Sequence, residues 1–252
     1  MNFKDKKIIV FDLDGTLAES KQELDIEMSD LLSKLLDIKK VAIITGGGFS
    51  QLQKQVIDKI AFDTNKLKNL FLFPTKGATM LIFDGNNWQK KYEKKLTKDD
   101  KEKIIDAFDK VYKEVDFLPQ KCYGNVLEDR NSEFTFSALG QDAPVELKKH
   151  WDEDSSKRKE LKKHLDKYLP EFSVEIGGST SLDITQKSID KAYAIEKIEE
   201  YFNIKKDEIL FIGDAIFKGG NDYSVIKTSV ENIDVDDYNE TKNIMRDIIE
   251  QQ

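Results

Sequence analysis

Asp12-Leu13-Asp14-Gly15-Thr16 sets two carboxylates at i and i+2 directly behind the apolar run Ile8-Ile9-Val10-Phe11. Two aspartates on a loop leaving a buried strand can converge on one pocket, where a hard divalent cation such as Mg²⁺ relieves their repulsion. One of them, Asp12, is then placed to attack phosphorus and form an aspartyl phosphate. The other, Asp14, is placed to move the proton. Taken alone, the pentad also fits a simple Asp-Gly turn.

Three further motifs carry compatible chemistry. Thr45-Gly46-Gly47-Gly48 follows Val41-Ala42-Ile43-Ile44 and precedes a helical stretch; a hydroxyl with unencumbered backbone N–H groups there makes an anion site. Lys191 falls in the first turn of a helix for which Ser188 reads as the N-cap. A cation there opposes the helix dipole by about a few tenths of a kcal/mol, which implies a compensating anion. Lys187 is the competing lysine nearby, and a plain surface lysine is the bland alternative. Gly213-Asp214 ends the run Ile209-Leu210-Phe211-Ile212, and Gly219-Gly220-Asn221-Asp222 returns a second carboxylate eight residues later. Asp12, Asp14 (through its backbone carbonyl), Asp214 and Asp222 are the expected Mg²⁺ ligands; Thr45 and Lys191 are expected to hold the transferring oxygens.

These groups need rigid elements behind them. Continuous apolar runs of four or five residues suit strands buried on both faces of a parallel sheet. Met28, Leu31, Leu32, Leu35 and Leu36 recur at helix spacing between the first two runs, and Phe49 to Ile60 reads as a second helix. The order strand–helix–strand–helix predicts an α/β fold with a Rossmann-like parallel core. Leu70-Phe71-Leu72-Phe73, closed by Pro74, is a further core strand. After about Phe83 the pattern changes to lysine-rich amphipathic helices around 98–115 and 157–168, with alternating strands at 133–136 and 172–176. We therefore expect residues 1–83 and 186–252 to form the core and 84–185 an inserted α+β cap.

The chain has 252 residues, 39% hydrophobic and 35% charged, against roughly 25% charged in ordinary globular proteins. Its net charge of −8 disfavours nucleic acid and anionic membrane surfaces as partners. No apolar run approaches the roughly 18 residues of a membrane span, and no signal peptide is evident, so a cytoplasmic location is expected. A single cysteine, Cys122, excludes an internal disulfide and Cys-clustered metal sites; two histidines leave no ordinary Ser-His or zinc chemistry.

In order, the four motifs resemble the haloacid dehalogenase superfamily of phosphatases and phosphotransferases, with the insertion where its large-cap class carries a cap. More closely, the chain is similar over nearly its whole length to the eukaryotic-type phosphomannomutases. That resemblance implies a small phosphorylated sugar as substrate and possible pairing of two copies through the cap. It places Gly46, Gly47, Lys21 and Asn221 around the phosphate, Ser181 and Asp183 on sugar hydroxyls, and Arg130 and Arg158 on the distal phosphate. Gln141 stands where the mutases have a third cap arginine, Lys21 where they have an arginine, and Thr45 where they differ from ordinary phosphatases. The resemblance thus leaves two enzyme readings, a hexose-phosphate phosphatase and a phosphomannomutase. A catalytically silent binding protein on the same scaffold is a third, opposed by the intact Asp12, Asp14, Lys191 and Asp214.

Overall fold

The computed structural model describes residues 2–60 and 64–251. Two compact units emerge, Met1–Glu93 with Ile189–Gln252, and Lys94–Ser188.

The first unit is built on a seven-stranded sheet. Its strands are β1 (Ile8–Phe11), β2 (Lys40–Ile44), β3 (Leu70–Phe73), β4 (Thr79–Phe83), β5 (Trp88–Glu93), and, from the distal part of the chain, β10 (Ile209–Gly213) and β11 (Glu231–Asp234). Their order is β11-β10-β1-β2-β3-β4-β5; the first five run parallel, and β4 pairs antiparallel with both β3 and β5. Alternate residues of β1 face opposite ways, as the two-residue period of a strand requires. Ile9 and Phe11 pack with α1 (Ile26–Ile38) and α8 (Tyr238–Glu250), while Ile8 and Val10 pack with α7 (Lys191–Phe202). Burial on both faces explains the unbroken apolar runs.

Two sequence expectations change here. The boundary expected at 84 falls later, because Asp84 to Asn87 is a hairpin turn joining β4 to β5. The Asp84 carboxylate accepts from the N–H groups of Asn86 and Asn87, both at 2.8 Å. β5 is a polar, lysine-bearing edge strand, a composition that protects an exposed edge and hides the strand from an apolar-run search. Residues 49–60 are helical but not uniformly so. A short α2 (Phe49–Leu52) passes through a π-helical turn, Gln53–Ile57, into α3 (Asp58–Ile60).

The second unit holds an antiparallel sheet of order β6-β7-β9-β8, made of Leu127–Asp129, Glu133–Ser137, Ser181–Gln186 and Phe172–Ile176 respectively. Phe134, Phe136, Leu182, Ile184, Phe172 and Val174 cover one sheet face and pack with α4 (Lys98–Glu114) and α6 (Ser156–Tyr168). Pairing aligns Glu128, Thr135, Asp183 and Glu175 across the other face. The remaining helix, α5 (Val145–Trp151), buries none of its residues. No helix among the described residues is long and apolar enough to cross a membrane.

Candidate active site

Three neighbouring parallel strands end in polar groups, which is where open α/β sheets place their ligands. Asp12 follows β1, and its N–H donates to Ile212 O of β10 at 3.0 Å. Asp214 follows β10. Thr45 follows β2, its N–H on Phe73 O at 3.1 Å. The loop after Asp214 closes on itself. Asp222 N–H donates to Ala215 O at 3.1 Å, and Ala215 N–H donates to Asp222 Oδ2 at 3.2 Å. Gly15 has φ +94° and faces Asp214 so closely that a Cβ would lie 2.2 Å from its Oδ2. Only glycine meets both demands.

Lys191 is the first residue of α7. The N-cap is Asp190, whose carboxylate accepts from Tyr193 N–H at 3.1 Å; the expected cap, Ser188, lies two residues too early. The Lys191 ammonium donates to Oδ1 of both Asp12 and Asp222, and the three side chains are buried. Burial pushes the Asp12 carboxyl up to about 7, with Lys191 pulling it down and Asp222 pushing it up. Burial also acts to deprotonate Lys191, but the two facing carboxylates outweigh it and hold the proton more tightly than usual. Asp214 is raised by burial and then by repulsion from Asp222.

One oxygen of each of Asp12, Asp214 and Asp222 lies within 4.8 Å of the others. Asp12 Oδ2 is buried and has no hydrogen-bond partner. Three carboxylates against one ammonium, with an orphaned oxygen among them, fit a hard divalent cation bound through oxygen.

Asp14 lies outside this trio. Its Oδ1 accepts from Lys21 N–H at 2.5 Å and from Gln55 Nε2 at 3.4 Å; its Oδ2 accepts from Gln51 Nε2 at 2.8 Å. Lys21 therefore meets the site through its backbone, at φ 60°, while its side chain is exposed. Thr45 Oγ1 accepts from Gly47 N–H at 3.1 Å, so that N–H is already engaged and the Thr45 hydroxyl proton remains to donate. Gly46 and Asn221 are exposed on their loops. Lys187 belongs to the second unit, with Nζ on Pro170 O at 3.3 Å, which leaves Lys191 as the lysine on the carboxylates. Sequence reasoning missed Gln51 and Gln55, although their four-residue spacing puts them on one helix face. Thr16 stands in the first motif without an assigned role; its hydroxyl contacts Asp214 Oδ1 at 3.4 Å.

A family profile of haloacid dehalogenase-like hydrolases matches residues 9–240. The chain belongs to this family. As a member of the haloacid dehalogenase-like hydrolases it is an enzyme, a phosphatase or phosphotransferase. A phosphomannomutase of Encephalitozoon cuniculi is 29% identical over 240 residues, spanning 88% of this chain and 84% of the relative. One from Schizosaccharomyces pombe is 28% identical, spanning 87% and 85%. Among solved structures, Plasmodium falciparum IMP-nucleotidase superposes with a TM-score of 0.76 at 15% identity, covering 98% of this chain and 68% of that one. A haloacid dehalogenase-like hydrolase from Bacteroides thetaiotaomicron gives 0.63 at 16%, covering 96% and 98%. At those identities the two structures share the fold.

The second unit of this haloacid dehalogenase-like hydrolase treats its expected sugar and phosphate ligands unequally. Ser181 and Asp183 share a face of β9, and Asp183 Oδ1 accepts from Thr135 Oγ1 at 2.9 Å. Arg130 is about half exposed and forks onto Glu128 Oε2, Nε at 3.0 Å and Nη2 at 2.8 Å, with Glu133 at 3.5 Å. Arg158 is buried. Its Nε donates to Asp152 Oδ2 at 2.7 Å and its Nη1 to Gly178 O at 2.6 Å. Its Nη2 donates to Asp152 O at 2.9 Å and to Ser155 Oγ at 2.8 Å. Those four bonds leave one of the five guanidinium N–H groups. Arg158, expected from the resemblance on the distal phosphate, is thus bonded to oxygens of its own unit. Gln141 carries no charge, and its Nε2 is buried without a partner.

Proposed function

We propose that the protein is a Mg²⁺-dependent phosphatase of a hexose phosphate, acting through an aspartyl phosphate on Asp12. The observation that carries this reading is the buried Asp12 carboxylate, one oxygen on Lys191 and the other unpartnered, beside Asp214 and Asp222. An Asp12 oxygen attacks phosphorus as the bond to the sugar oxygen breaks. The leaving oxygen takes its electron pair and a proton from Asp14. Asp14 then accepts a proton from the water that hydrolyses the aspartyl phosphate. Lys191 and the Thr45 hydroxyl hold the transferring oxygens. When bound, Mg²⁺ on Asp12, Asp214 and Asp222, with the Asp14 backbone carbonyl, supplies charge neutralisation for the phosphoryl group. A cytoplasmic setting suits such a substrate.

The rival reading is a phosphomannomutase, favoured by the names of the relatives. A mutase must hold a sugar bisphosphate by its far phosphate while the sugar turns. The commitment of Arg158 to protein oxygens and the uncharged Gln141 favour a phosphatase. A pairing of two copies through the second unit is compatible with Val145 and Leu147, 64% and 46% exposed on α5.

The test is one incubation with mannose 1-phosphate, Mg²⁺ and a trace of hexose bisphosphate, reading free phosphate and mannose 6-phosphate together. Phosphate without the isomer is the expected result. The isomer without phosphate would establish the mutase.

A further inference from the structure

Asp14 is the proton carrier in the reading above, yet its carboxylate is held by groups the motifs do not contain. Gln51 and Gln55 approach it from the helical stretch after the glycine loop, one amide on each carboxylate oxygen. The main-chain N–H of Lys21 completes the grip.

Three locally unfavourable features and one glycine serve this arrangement. The helix widens into a π turn at Gln53–Ile57, a rare form often found at functional sites. Gln55 is 2% exposed, and its Oε1 is buried without a partner, a desolvation cost left unreturned. Gly47 leaves room for the Gln51 amide; a Cβ there would lie 1.8 Å from Gln51 Oε1. Lys21 sits at φ 60°, a region disfavoured for a residue with a side chain. Strain of this kind persists where the surrounding structure requires it; the π turn, Gly47 and Lys21 bear on the Asp14 carboxyl, and the buried Gln55 amide is shared between Asp14 and the Gln22 carbonyl.

The choice of amides is chemically informative. A lysine or arginine in their place would bring a net charge and could only donate. An amide donates to a carboxylate through its NH₂ and, turned over, accepts from a carboxylic acid through its oxygen. Gln51 can therefore hold Asp14 in place in either state without charge, while Gln55, whose Nε2 also donates to the Gln22 carbonyl, stays in its donor orientation.

We propose that Gln51 and Gln55 are positioning residues that fix the Asp14 carboxyl for protonation of the leaving oxygen. This inference rests on the phosphoryl-transfer reading of Asp12 and Asp14. It predicts a dependence on the leaving group. A hexose alkoxide needs a proton as it departs, whereas p-nitrophenolate leaves unprotonated.

The experiment compares kcat/KM, which runs through departure of the leaving group, for two substrates with Mg²⁺ present. One is p-nitrophenyl phosphate; the other is the fastest alkyl ester of a hexose phosphate panel headed by mannose 6-phosphate. Wild type is set against Gln51→Leu and Gln55→Leu, with Asp12→Asn as the inactive control. The alkyl ester is expected to lose on the order of 10²-fold in the variants, while p-nitrophenyl phosphate changes by less than about threefold. Gln51 is only half-buried, so its leucine variant carries the test if Gln55→Leu does not fold. Equal losses on both esters, or no loss on either, would overturn the proposal. Wild type inactive on both esters would instead sink the reading of Asp12.

Discussion

Lys191 joins Asp12 to Asp222 through a single ammonium, and no side chain of the three is more than 3% exposed. Lys191→Met therefore leaves two carboxylates buried without their cation. Breaking a buried pair from one side costs about 3–5 kcal/mol. Urea unfolding in chelator should show that loss in the variant, and turnover should fall on the order of 10²–10³-fold, the range for removing one fixed stabiliser of developing charge.

Removal of metal has the opposite sign for the carboxylates themselves. Asp214 is destabilised by burial and by Asp222, so Asp214→Asn in chelator should be at least as stable as wild type. Adding Mg²⁺ at a hundred times its Kd should stabilise wild type by about 2.7 kcal/mol. Most of that increment should vanish in Asp214→Asn, as read by thermal melts with and without the ion.

The two arginines of the second unit should separate cleanly. Arg158→Met leaves Asp152 buried and unpaired, with an expected cost of about 3–5 kcal/mol in that unit's stability. Arg130 is 44% exposed and bound to Glu128 and Glu133; Arg130→Met should cost under about 1 kcal/mol. If Arg130 grips substrate, its effect appears in KM. Denaturant midpoints and steady-state kinetics on both variants distinguish the roles.

Asp152 gives that unit an acid sensitivity of known sign. Burial alone would raise its carboxyl. The Arg158 guanidinium and the N–H groups of Arg158 and Lys157, both at 3.0 Å, more than offset this and hold it below the usual range. A depressed acid contributes its stabilisation in full above its unfolded value of about 3.9 and loses it as pH falls through the folded value. The stability gap between wild type and Asp152→Asn should thus be constant near neutrality and shrink steadily below about pH 4. A gap that widens in acid would contradict the assignment.

Much of the candidate site was legible because its polar groups sit where strands end. An apolar run followed by Asp, Thr or Gly-Asp identifies both the strand and the group it presents, as at Asp12, Thr45 and Asp214. What escaped was whatever depends on side-chain direction. Arg158 reads as one charge among many in a lysine-rich helix, and nothing in its neighbourhood of sequence announces burial against Asp152. Gln51 and Gln55 are uncharged and belong to no motif. The cap of α7 moved from Ser188 to Asp190 because both types cap well, and only the path of the chain chooses. β5 went unread because edge strands are polar.

The pairing of β1 with β10 also sets the order in which the protein can come into being. Asp12 leaves the ribosome some two hundred residues before Asp214, and β10 is the strand that covers one edge of β1. Until it arrives, Ile8-Ile9-Val10-Phe11 presents an unpaired apolar edge to the cell, the kind of surface on which chains aggregate. Closing so long a loop is slow relative to forming local contacts. A nascent chain stopped before Ile209 therefore has neither the trio of Asp12, Asp214 and Asp222 nor a finished sheet. Such fragments are expected to be sticky, dependent on chaperones and inert.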